Sequence, residues 1–129
     1  MANVFISYAR EDTPIATHLS EMLQKSGHTV FYDQGTLVTG ESFSKEVAQA
    51  LTNAEAVVVV LSRHCKRSKW VEEELRTALE KSHRVIPVLL GQDATNNWVW
   101  PLISDRHAIR VESPEEIHKV AREITRSVE

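Results

Sequence analysis

The segment Ala56–Leu61 reads AVVVVL, an unbroken apolar run built around four consecutive valines. A strand with water on one face alternates apolar and polar side chains, so a continuous β-branched run belongs to a strand covered on both faces. Strands of that kind sit in parallel sheets with helices packed above and below. The rest of the chain must therefore supply more apolar strands for the sheet and amphipathic helices for its two faces.

Both are present in alternation. Val4 to Tyr8 reads as a first strand, and Ile15, Leu19, Met22 and Leu23 follow at helical spacing. Gly27, after Lys25 and Ser26, stops that helix, and HTVFYD at 28–33 reads as the second strand. Asp33 to Gly40 is rich in turn formers, after which Phe43, Val47, Ala50 and Leu51 restore the helical period. Beyond the central run, a helix is expected from about Ser68 to Ser82, a fourth strand at RVIPVLL and a short fifth at AIRV. A closing helix runs from Ser113 to Val128, with Ser113, Pro114 and Glu116 as its start signal. Gly91 to Arg106, which holds Asn96, Asn97, Trp98 and Trp100, has no clear period and reads as a loop with room for a helical turn.

Right-handed crossovers place successive helices on one or the other side of such a sheet. The predicted fold is α/β, a flavodoxin-like three-layer sandwich with a five-stranded parallel sheet in the order 2-1-3-4-5. At 129 residues, without internal repeat or low-complexity tract, the chain is expected to be a single domain over 1–129.

Composition removes several function classes. A net charge of −3 provides no global attraction to nucleic acid. The apolar runs fall far short of the ~20 residues a membrane helix needs, and the N-terminus enters NVFISY without the features of a signal peptide. Cys65 is the only cysteine, which excludes an internal disulfide framework and agrees with the cytoplasm. Six histidines lie scattered without ligand spacing, so no metal is expected.

In this strand order ligands bind beyond the carboxyl ends of strands one and three, where the order reverses. SYARED, SRHCKRSKW and the Asp33 to Gly40 loop lie there. A phosphoacceptor domain would need an aspartate where Leu61 and Ser62 stand, and a flavin site would need a hydroxyl- and glycine-rich loop in place of Ala9, Arg10, Glu11 and Asp12. GESFSK lacks phosphate-loop spacing, and there is no G-x-S-x-G elbow.

Taken in order, VFISYARED, VFYDQGTLVTGESF, AVVVVLS and SKWVEEEL resemble the Toll/interleukin-1 receptor (TIR) domains, above all the bacterial ones, over nearly the whole chain. That family contains adaptors that signal by homotypic assembly and enzymes that hydrolyse or cyclise NAD⁺ with release of nicotinamide. In the enzymes a glutamate stands four residues after an aromatic residue on the helix following strand three, and here Trp70 and Glu74 correspond. The resemblance implies Glu74 as the catalytic residue, with Tyr8, Arg10, Asp33, Leu37, Ser42, Trp70 and Trp100 as substrate-binding residues. Thr36, Leu37, Val38 and Gly40 of the BB loop would serve assembly. NAD⁺ would be a substrate, with no resident cofactor, and other TIR domains would be the partners, with neither nucleic acid nor membrane involved.

The helix periodicity singles out the same glutamate. The apolar stripe of that helix is centred on Val71, Leu75 and Ala78, and Glu74 and Trp70 share one flank of it, whereas Glu73 faces away and Glu72 takes the other flank. A carboxylate suits the chemistry, since nicotinamide leaves as a neutral molecule while a ribosyl cation develops. An aromatic face such as Trp70 can stack the ring, and Arg10 can meet the diphosphate. The plainer readings stand beside these. Three glutamates early in a helix suit its dipole as a solvated face, a tryptophan is commonly a packing residue, and Arg63, Lys66, Arg67 and Lys69 suit a solvated loop. The competing functions are a non-catalytic TIR adaptor or scaffold and a nucleotide- or sugar-binding module without turnover.

Overall fold

The chain is described from a computed structural model over residues 2–8, 10–31, 49–50, 53–63, 84–95, 100 and 108–128. Five strands, β1 (Asn3–Ser7), β2 (Thr29–Phe31), β3 (Ala56–Leu61), β4 (Arg84–Leu90) and β5 (Ile109–Val111), form one sheet in the order β2-β1-β3-β4-β5. Every pairing is parallel. All six residues of β3 are buried, which is what the valine run requires of a central strand.

Strand alternation divides the apolar residues between two faces. One face carries Val4 and Ile6 of β1, Val58 and Val60 of β3, and Ile86 and Val88 of β4. Against it pack Leu19 and Leu23 of α1 (Thr13–Lys25) and Ile117, Val120 and Ile124 of α2 (Ile117–Val128). The other face holds Phe5, Val57, Val59 and Leu61, none more than 1% exposed, so that side is covered as well and the architecture is three-layered. Phe5 and Phe31 stack there with ring centroids 5.3 Å apart. Pro87 fits inside β4 because β5 pairs only with Val88, Leu89 and Leu90, so at Pro87 the strand is bonded on one side only.

The helix ends show how local chemistry sets element length. α1 stops in a Schellman motif, in which the Gly27 amide donates to the Gln24 carbonyl at 3.0 Å and the His28 amide to the Leu23 carbonyl at 3.1 Å. Gly27 has φ of 93°, the left-handed conformation expected of a helix-stopping glycine. The closing helix begins differently from expectation. Pro114–Glu116 is a 3₁₀ turn, the Glu116 amide donating to the Ser113 backbone carbonyl at 3.1 Å, and α-helical geometry starts only at Ile117. Of the expected second helix, residues 49, 50 and 53 are helical. The helix expected from about Ser68 to Ser82 lies outside the described residues. Within Gly91 to Arg106 there is a 3₁₀ turn, Gln92–Thr95, and helical backbone at Trp100. Among the described residues no helix is long and apolar enough to cross a membrane.

His28 ties the amino-terminal end of the sheet together. Its buried ring accepts from the Ala2 amide at Nδ1 (3.3 Å) and lies 2.9 Å from Thr125 Oγ1 of α2 through Nε2. A backbone amide can only donate, so Nδ1 is the acceptor and Nε2 carries the proton.

Two outcomes follow from these contacts. Gly27→Ala forces a β-carbon into left-handed backbone and is expected to lower unfolding free energy by about 1–2 kcal/mol. His28→Ala removes both ring hydrogen bonds and is expected to cost about 2 kcal/mol. Urea denaturation with an unchanged slope checks each, and wild-type midpoints would refute the assigned roles.

Candidate active site at the strand-order switch

The chain passes from β1 outward to β2 and then returns to place β3 on the other side of β1, so the order reverses between the carboxyl ends of β1 and β3. Those ends are Ser7 and Leu61, followed by Tyr8 and Ser62. A crevice at this point is the binding position of the architecture.

Ser7 and Tyr8 form the β1 side of its floor and are each 1% exposed. They point to opposite faces of the sheet. Tyr8 joins the cluster with Ile6, Val60 and Leu19, so its ring is built into the core beneath the crevice. The Ser7 hydroxyl is buried and has no hydrogen-bond partner among the described residues. After Tyr8 the chain enters a 3₁₀ turn, Arg10–Asp12, which leads directly into α1 with Pro14 in its first turn.

Asp12 occupies the N-cap position of α1, yet its carboxylate makes no capping hydrogen bond. It points across the crevice floor instead, where Oδ2 accepts from Ser62 Oγ at 2.5 Å. Both side chains are buried, Asp12 at 7% and Ser62 at 4% exposure. A buried carboxylate needs a donor, and the amino-terminal end of α1 adds a favourable dipole beside it. The pair joins residues 50 apart in sequence.

Of the residues expected at the site, Tyr8 and the backbone of Arg10 stand at the switch point, while Trp100 lies half-buried after β4. Asp33, Leu37, Ser42, Trp70 and Glu74, and the BB-loop residues Thr36, Val38 and Gly40, lie outside the described residues. Asp12 and Ser62 were not expected. An aspartate just before Thr-Pro at a helix start carries the signal of an N-cap, and nothing in its spacing from Ser62 reveals a partner across two strands. Among the described residues no group of three or more His, Cys, Asp or Glu side chains is placed to hold a metal ion.

The profile of the TIR domain family matches residues 4–124. The probable 2′ cyclic ADP-D-ribose synthase TcpB of Brucella abortus is 31% identical over 127 residues, covering 93% of this chain and 50% of that protein. The 2′ cyclic ADP-D-ribose synthase AbTIR of Acinetobacter baumannii is 33% identical over 129 residues, covering 92% of this chain and 48% of that protein. The chain thus spans about half the length of the curated relatives it matches. Among solved structures, the TIR domain of the Toll-related receptor TRR-2 from Hydra magnipapillata superposes with a TM-score of 0.72 at 20% identity, covering 99% of this chain and 98% of that one. The parallel sheet in the order 2-1-3-4-5, the box from Val4 to Arg10 at the end of β1 and the near-complete profile match agree, and the chain belongs to the TIR domain family.

Proposed function

We propose that this domain cleaves NAD⁺ at the nicotinamide ribosyl bond, releasing nicotinamide and leaving ADP-ribose or a cyclic ADP-ribose. The observation that carries this reading is the match, over nine-tenths of the chain, to bacterial proteins named as 2′ cyclic ADP-D-ribose synthases. The presence of Trp70 and Glu74 at the spacing of the enzymatic branch supports it.

The chemistry asks little of the protein. The C–N bond breaks with its electron pair going to the pyridinium nitrogen, so nicotinamide departs neutral without an acid. Positive charge then develops on the ribose, where the Glu74 carboxylate stabilises it and accepts hydrogen bonds from ribose hydroxyls. Water adding to the anomeric carbon, with loss of a proton, yields ADP-ribose; a hydroxyl of the same ADP-ribosyl unit adding in its place yields the cyclic product. Trp70 stacks the nicotinamide ring, and Arg10 meets the diphosphate from the turn beside Asp12. Asp33, Leu37, Ser42 and Trp100 complete the pocket, and Tyr8 supports its floor from within the core. NAD⁺ is a substrate here, and the reading invokes no resident cofactor.

In this reading activity depends on assembly. Thr36, Leu37, Val38 and Gly40 form the loop through which a neighbouring TIR domain completes the site, so dilute isolated domain turns over slowly. The setting is the cytoplasm, with which the lone thiol Cys65 accords, and the output is NAD⁺ depletion or a nucleotide messenger in immune or antiphage signalling.

Nicotinamide release measured on domain clustered on a surface tests the proposal. Glu74→Ala is expected to lower the rate by about a hundred-fold or more, the scale of removing an electrostatic stabiliser of the transition state. Equal rates in wild type and variant would sink the catalytic assignment. Leu37→Ala and Gly40→Ala are expected to weaken self-association in sedimentation and to reduce turnover in parallel. Loss of association alongside a wild type that never cleaves NAD⁺ would mark an adaptor.

A further inference from the structure

Asp12 gives up the capping bond that its position at the start of α1 offers, and its carboxylate instead receives the Ser62 hydroxyl at 2.5 Å. That exchange connects the two segments that flank the switch point. On one side is the turn Arg10–Asp12, which leaves β1 and carries Arg10. On the other is the exit of β3 at Ser62, which opens the stretch of sequence bearing Trp70 and, twelve residues on, Glu74.

We infer that the Asp12–Ser62 pair is the positioning element of the NAD⁺ site, an inference that rests on the function proposed above. It sets the spacing between the Arg10 turn and the exit of β3, the two segments that bound the crevice in which the dinucleotide is met. Neither side chain reaches substrate, since Asp12 is 7% and Ser62 4% exposed. A hydroxyl-to-carboxylate hydrogen bond shielded from water is short and directional, which suits it to holding two segments at a set distance. No apolar contact restricts direction in the same way. A bond that served only stability would be met more simply by an aspartate capping its own helix.

The test compares clustered wild type with Ser62→Ala, Ser62→Thr, Asp12→Asn, the double variant Asp12→Asn/Ser62→Ala and His28→Ala, following nicotinamide release and thermal unfolding for each. His28→Ala serves as the stability control because His28 lies at the amino-terminal end of the sheet, away from the crevice. Ser62→Ala and Asp12→Asn are expected to lower kcat/KM by about ten- to a hundred-fold, the scale of a small misplacement of reacting groups. The loss is expected in KM more than in kcat, as the Arg10 turn drifts from the exit of β3. The double variant should lose no more than the worse single variant, as expected when both act through one interaction. Ser62→Thr, which keeps the hydroxyl, should restore turnover, while His28→Ala lowers Tm and keeps wild-type turnover per folded molecule.

Wild-type kinetics in Ser62→Ala and Asp12→Asn, or losses that merely follow Tm as those of His28→Ala do, would overturn the positioning role and leave NAD⁺ cleavage standing. A clustered wild type that releases no nicotinamide would overturn the function and this inference together. Where Asp12→Asn does not fold, the contrast between Ser62→Ala and Ser62→Thr decides.

Discussion

The burial of β3 on both faces is the constraint from which the other elements take their places. A strand with no polar side chain can sit only where helices cover it above and below, and parallel neighbours are the arrangement that allows this. Parallel pairing forces each connection to run back over a face of the sheet; α1, between β1 and β2, covers one face, and α2, after β5, packs on that same face. The switch in strand order between β1 and β3 is a by-product of starting in the middle of the sheet and building outward both ways. The crevice thus arises from the sheet's construction before any residue in it is chosen.

The two ends of the sheet use polar groups differently. At the amino-terminal end, His28 joins the chain start at Ala2 to α2 through Thr125, a wholly structural arrangement reached because the Schellman turn delivers His28 to that spot. At the carboxyl end, Asp12 leaves its own helix uncapped by its side chain and bonds to Ser62, while the Ser7 hydroxyl is buried without a hydrogen-bond partner among the described residues. Local propensity is obeyed at one end and set aside at the other. Departures of that sort gather where a protein holds a functional geometry.

Most of the fold was legible in the sequence because its signals are local and periodic. The valine run, the helical spacing of Ile15, Leu19 and Leu23, and Gly27 as a helix stop each depend on neighbours within one or two turns. The start of the closing helix was less legible. Ser113, Pro114 and Glu116 carry a helix-start signal, but that signal does not distinguish an α-helical first turn from the 3₁₀ turn that forms. Tyr8 shows another limit: a tyrosine in a signature box at a strand end fits both a ligand contact and a core position, and the packing with Ile6, Val60 and Leu19 places its ring in the core.

The sequence by itself determined the class of fold, the order of its elements and membership of the TIR family, because periodicity and short motifs carry that information. The tertiary structure alone decided what Asp12 does. Its carboxylate finds Ser62 only once β1 and β3 lie side by side in register, Ser7 opposite Val59. A hydrogen bond between residues 50 apart has no period to announce it, since it depends on where two strands end, and that is settled by packing the whole sheet.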